Sequence, residues 1–280
     1  MGGRLQFDDL DMDLIASRPR LSTYHEYATT PGKDGVAPVD RLAPEELSLP
    51  LEMRAQIAGV RLYFWDAHVS ASLWPSIALV EVLVRNSMND VLCEYFQVTS
   101  EEGWHPLVRN GASFIDNAEE GAKLKSKYVL LTERDYGAFS RKLSEIRRKN
   151  RGRSVSGDFF VAKSTLGTWV NLLNDGDSGP GRGHLHYEQT LWEPCLSSAF
   201  PHYNGRRSQL RSELNRLAKL RNRIAHHEHL LGRNLTADFE NIVRLASFVD
   251  KDVAGVIRTR NSFKHAFRDR DRFLAGEVVL

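Results

Sequence analysis

LRSELNRLAKLRNRIAHHEHLL, residues 210–231, decides the fold class. On a wheel of about 100° per residue, Leu210, Leu214, Leu217, Leu220, Ile224 and Leu231 fall on one face. Apolar residues at that spacing predict an amphipathic helix over 208–231, with Gly232 as its stop. One position breaks the pattern, because Arg221 lies within the apolar face. A guanidinium there stays charged and needs a carboxylate, a phosphate or a subunit boundary beside it.

The same periodicity extends through the rest of the chain. Met53, Ile57, Val60 and Phe64 predict a helix over 51–69. Pro75 then fits the first turn of a second helix, whose Ile77–Val84 run is apolar on every side except Glu81 and therefore reads as central to the core. Further helices are predicted over 117–131 and 133–149, the latter opened by Thr132 with Asp135 in its first turn. DFFVAKSTLGTWVNLL (158–173) suits a strand by composition and a helix by length and neighbours. Loop residues cluster at 174–184, and helical patterns return over 188–199, 236–250 and 252–267. The expected fold is all-α, with an irregular N-terminal arm over 1–48 holding one short helix, and a helical domain over 49–280. No Gly-rich strand-turn-helix phosphate loop is present, which disfavours the common α/β nucleotide folds.

Composition narrows the class further. The 280 residues are 41% hydrophobic and 26% charged, ordinary for a globular protein large enough to bury a core. A net charge of +2 is far from that of a generally cationic nucleic-acid binder, so a polyanion site must be local. Cys93 and Cys195 belong to no C-x-x-C pair, which fits a reducing cytoplasm. No leader-like N-terminus and no run of roughly 18 apolar residues is evident, so neither secretion nor membrane insertion is expected.

The chemistry concentrates at 221–229. His226 lies five residues after Arg221, about 140° away on a regular helix. One straight helix cannot aim both at one atom. Either the helix distorts at the motif, or the arginine and histidine of two copies meet across a twofold interface. Such a pair suits phosphodiester cleavage: histidine exchanges a proton with a ribose hydroxyl or leaving oxygen, and arginine grips the phosphate. A plainer reading has His226, His227 and His229 as cations at a helix C-terminus, favoured by its dipole. A zinc-protease spacing is excluded, since the second histidine it needs would fall at Leu231, and no metal or cofactor is expected.

Arg221-Asn222-Arg223-Ile224-Ala225-His226 resembles the R-x4-H motif of HEPN-superfamily proteins, and RNRIAHHE is similar to their Abi-like (abortive infection) branch. VEVLVRNSMNDVL, AKSTLGTWVNLL and LWEPCLSSAFP resemble further segments of that branch, so the likeness covers roughly residues 51–255. It implies a helical bundle with extra helices that dimerises around the motif. In active members it implies a metal-independent endoribonuclease leaving a cyclic phosphate. Arg221 and His226 inherit the catalytic assignment, Asn222 that of polar helper, and His227 competes with His226 through the R-x5-H spacing. Some toxin members carry R-x4-H-x-Y, whose tyrosine a partner enzyme modifies. Glu228 stands at that position here, so this mode of antitoxin control does not carry over. Many HEPN proteins are binding scaffolds, so an RNA- or protein-binding module is the alternative.

Three further features accompany the motif. Glu81 and Arg85 are spaced to pair on one helix face near Asn86, either as an ion pair fixing core register or as groups flanking the motif. Arg147, Arg148, Lys149, Arg151 and Arg153 form a basic run that suits either a solvated surface or RNA phosphates. Trp169 reads as a core aromatic. The partners expected are RNA, a second copy of the chain, and an antitoxin or regulatory protein.

Overall fold

The computed structural model describes residues 16–111, 127–177 and 185–278. It is mostly helical. Two compact units share the chain: the described parts of Met1–Ser76, Arg221–Phe239 and Thr259–Leu280 form the first, and Ile77–Leu220 with Glu240–Arg258 the second. Four helices carry the backbone from one unit into the other: α2 (Leu51–Phe96), α6 (Arg207–Ala225), α7 (Leu235–Val249) and α8 (Lys251–Arg260).

In the first unit, α1 (Arg18–Ala28) buries Leu21, Tyr24 and Ala28, a single stripe at helical spacing. It lies close enough to α2 that a Cβ on Gly59 would stand 2.2 Å from His25 Cδ2, so only glycine fits there. On α2 the buried stripe continues through Leu62, Trp65, Val69 and Leu73. Met53, expected in the core, is 48% exposed. Trp65 donates its indole N–H to the carbonyl of Ala266 in α9 (Phe263–Arg268), and Arg61 forks onto Glu46 while donating to the carbonyl of Leu274 in α10 (Arg270–Leu274). The single helix expected over 252–267 is therefore broken. α8 ends at Arg260, and Asn261 turns its side chain to cap the next segment, accepting from the N–H of Phe263.

Pro75 does not begin a helix; it sits inside α2, a continuous span of 46 residues. A proline there gives the carbonyl of Ala71 no N–H, at a cost of about 3 kcal/mol. The burial of Leu73 and Ile77 on either side, together with Asn261 donating to the Ser72 carbonyl and the Ser76 hydroxyl, offsets that cost and holds the helix. The Ile77–Val84 run is also one-sided: Ile77, Val80 and Val84 are buried, whereas Leu79 and Val82 are 42% and 44% exposed. By length and composition alone, α2 is apolar enough to cross a membrane. The same hydropathy belongs to a core helix with a buried stripe, which is how its buried positions repeat.

In the second unit, Thr132 caps α3 (Glu133–Lys149) by accepting from the N–H of Asp135, as its sequence predicts. Of the helix expected over 117–131, residues 117–126 lie outside the described residues, and Val129–Leu131 is instead a strand, β2. It pairs in parallel with β1 (Val108–Asn110). All three β2 residues are buried, and a three-residue apolar run has no periodicity to separate strand from helix. The 158–173 stretch resolves as helix: α4 (Gly157–Lys163), α5 (Leu166–Val170) and a 3-10 turn at Asn171–Leu173. Its Trp169 is fully buried against Trp104 and Phe160, with the indole N–H on the Ser164 hydroxyl. The helix expected over 188–199 is replaced by a π-helical turn at Glu188–Trp192 and a 3-10 turn at Leu196–Ala199.

Candidate functional site

α6 buries Leu210, Leu214, Leu217 and Leu220 and ends at Ala225, not at Gly232. The N–H of His227 reaches the carbonyl of Ile224 at 3.1 Å and that of Glu228 reaches the carbonyl of Arg223 at 2.8 Å. This is a Schellman cap. Its left-handed position, where glycine is usual, is occupied by His227 at φ 54°. Between Arg221 and His226 the helix stays regular: His226 completes the last turn, its N–H on the Asn222 carbonyl at 2.9 Å, and the chain leaves the helix only at His227. Leu231, expected on the helical stripe, is buried beyond the helix.

A non-glycine residue in the left-handed region costs roughly 1–2 kcal/mol. His227→Gly should therefore raise stability by about 0.5–1 kcal/mol, checked by urea unfolding. A loss of stability would show that the imidazole itself holds the cap.

Behind the cap, Asp66 joins three chain segments. Its carboxylate accepts the Tyr24 hydroxyl and the Leu230 N–H, both at 2.9 Å. Burial pushes its pKa up, opposed by those two hydrogen bonds and by the nearby positive groups of His229 and Arg223. The Tyr24 phenol is pushed up as well, by burial and by the Asp66 charge. With a folded pKa above the unfolded one, the contribution of Asp66 to stability is fully present below the ordinary value of 3.8 and is lost as pH rises through the folded value. Asp66→Asn should flatten that part of the stability-versus-pH curve. An unchanged slope in urea melts across the acidic range would remove Asp66 as its source.

Between α1, α2 and the cap lies a cavity of about 580 Å³. Tyr24, Tyr63, Trp74 and Pro75 line it with alanines of α2 and Ile224; its polar wall is Asp66, Ser70, His227 and Glu228. Arg221 stands over the Trp74 ring, its guanidinium carbon 5.9 Å from the centroid, and donates to the side-chain oxygen of Asn222. Arg223 donates to the carbonyl of His229 and stands 3.6 Å from Glu228. His226 and Asn222 are exposed. His227 and Glu228 thus line the cavity, Arg221 stands over one of its wall residues, Trp74, and His226 is not among the lining residues, although His226, His227 and Glu228 are all exposed.

The accompanying candidates sit in the second unit. Glu81 is buried. Arg85 donates to the carbonyls of Val161 and Ser164, closing the C-terminal end of α4, and Asn86 is exposed. Arg147, Arg148, Lys149, Arg151 and Arg153 are all exposed. Lys149 and Lys142 pair with Glu145, holding its carboxyl down at about 2. Asp66, Tyr24 and Trp74 were not anticipated from sequence. For Asp66 the signal exists: a carboxylate at the fourth residue after Leu62 and the third before Val69, inside a buried stripe. Among the described residues no group of three or more His, Cys, Asp or Glu is placed to hold a metal ion. Compared with protein-family models, curated proteins and solved structures, the chain has no match.

Proposed function

We propose that this chain is an Abi-like HEPN protein: a metal-independent endoribonuclease of an abortive-infection or toxin type, acting in the cytoplasm as a homodimer. The observation that carries the reading is Arg221 stacked on a wall residue of the cavity that His227 also lines. A histidine takes the proton of a ribose 2′-hydroxyl as its oxygen attacks phosphorus. The P–O5′ bond then breaks, and a histidine returns a proton to the departing 5′ oxygen, leaving a 2′,3′-cyclic phosphate. Arg221 holds the charge that builds on the phosphoryl oxygens. His226 and His227 are the two candidates for the proton transfers. A second copy of the chain would supply the partner motif and cover the apolar residues that α2 exposes, Trp74, Leu79 and Val82. The exposed basic end of α3 also supports a second reading, a noncatalytic RNA-binding module.

Purified full-length protein, incubated with end-labelled RNA in excess chelator, should release fragments ending in 2′,3′-cyclic phosphate. Uncut RNA in the presence of folded, dimeric protein would overturn the nuclease reading. Uncut but retained RNA would favour the binding module.

A further inference from the structure

We infer that the cavity beside the motif receives an unpaired guanine base of the RNA, an inference that rests on the ribonuclease reading. At about 580 Å³ the cavity is within the usual range for small-ligand sites, and a base with its ribose fits that space. Proteins that read single-stranded RNA stack its bases on aromatic rings and hydrogen-bond their edges. Both means are present. Tyr63 and Trp74 give aromatic walls, and Arg221, its guanidinium carbon 5.9 Å from the Trp74 centroid, puts a phosphate ligand beside the same aromatic. A base held against Trp74 would have its own phosphate within the arginine's reach.

The polar wall selects the base. Both carboxylate oxygens of Asp66 are engaged, one by the Tyr24 hydroxyl and the other by the Leu230 N–H. Glu228 lines the cavity with a side chain 54% exposed and paired, among the described residues, with Arg223 at 3.6 Å. A carboxylate with two accepting oxygens matches a base edge bearing two adjacent donors. Guanine has that edge in N1–H and the N2 amino group; adenine and cytosine offer one amino group, and uracil a single N–H between two carbonyls. His227, the neighbour of Glu228 in the same wall, can donate to the guanine acceptors O6 and N7.

The test measures binding of guanosine 5′-monophosphate, and of the adenosine, cytidine and uridine monophosphates, to the full chain through tryptophan fluorescence, alongside mapping of cleavage sites on RNA of mixed sequence. Guanosine monophosphate should bind about ten-fold or more tightly than the others, and cuts should cluster beside guanosines. Glu228→Gln should abolish the preference, and Ala71→Phe, which fills the cavity, should abolish binding of all four. Equal affinity for the four nucleotides, or guanosine binding unchanged in Ala71→Phe, would overturn the base site. Cleavage without base preference overturns it while leaving the nuclease reading intact. Selective guanosine binding without any RNA cleavage supports the site and removes the nuclease reading.

Discussion

Replacing both Arg221 and His226 by alanine is expected to abolish measurable RNA cleavage in a protein that still folds and dimerises. A general acid or base contributes roughly 10²–10⁴-fold, and one donor to a developing oxyanion roughly 10²–10³-fold. The two act in one transition state, so the loss in the double variant should fall short of the product of the single losses. Neither side chain holds the fold: His226 is exposed, and Arg221 is only partly covered. His227→Ala, assayed beside His226→Ala, separates the two histidines. The catalytic one should show the larger fall in kcat and lose one limb of the pH–rate profile. Normal cleavage by a folded Arg221→Ala, His226→Ala variant would remove the proposed chemistry.

The largest expected effect on stability lies elsewhere, at Arg207, the first residue of α6. It is 7% exposed, and its guanidinium donates to the carboxylates of Glu188 and Asp175 and to the carbonyls of Leu173 and Asn174. Truncation leaves the Leu173 and Asn174 carbonyls without their donor, about 1–3 kcal/mol for each buried acceptor left unpaired, while Glu188 and Asp175, 45% and 63% exposed, return to water. Arg207→Ala should lower the urea midpoint accordingly. The neighbouring exposed Arg206 serves as the control, with a change within about 0.5 kcal/mol on Arg206→Ala. A loss under about 1 kcal/mol at Arg207 would show that water replaces the guanidinium readily.

Long periodic stretches were legible in the sequence. The α3 helix with its Thr132 cap and the leucine stripe of α6 follow from spacing and cap chemistry, whereas 158–173, a strand by composition, leans to helix only by its length and neighbours. What was not legible depends on partners distant along the chain. Pro75 stays helical because Asn261 and the buried flanks hold α2. Val129–Leu131 becomes a strand because Val108–Asn110 lies beside it. The expected stop at Gly232 missed a left-handed cap formed by a histidine, because glycine is the usual residue there and non-glycine residues seldom take that conformation. At the candidate site, the arginine and the histidines stood out as charge in an apolar stripe. The cavity did not, since its walls come from residues around 24, 63–75 and 224–228.

The Asp66 carboxylate also bears on where the chain can be shortened. Composition sets residues 1–48 apart as an arm, and a truncation at that boundary would look harmless. Yet Tyr24 is a wall of the cavity and one of the two donors to Asp66, while the other donor, Leu230, anchors the chain just past the histidine cap. Removing the arm would open the cavity on one side and hydrate the carboxylate that fixes Leu230. The arm is thus part of the motif's mounting, and a tag or deletion placed there would be read out at residues 221–230, some two hundred positions away in sequence.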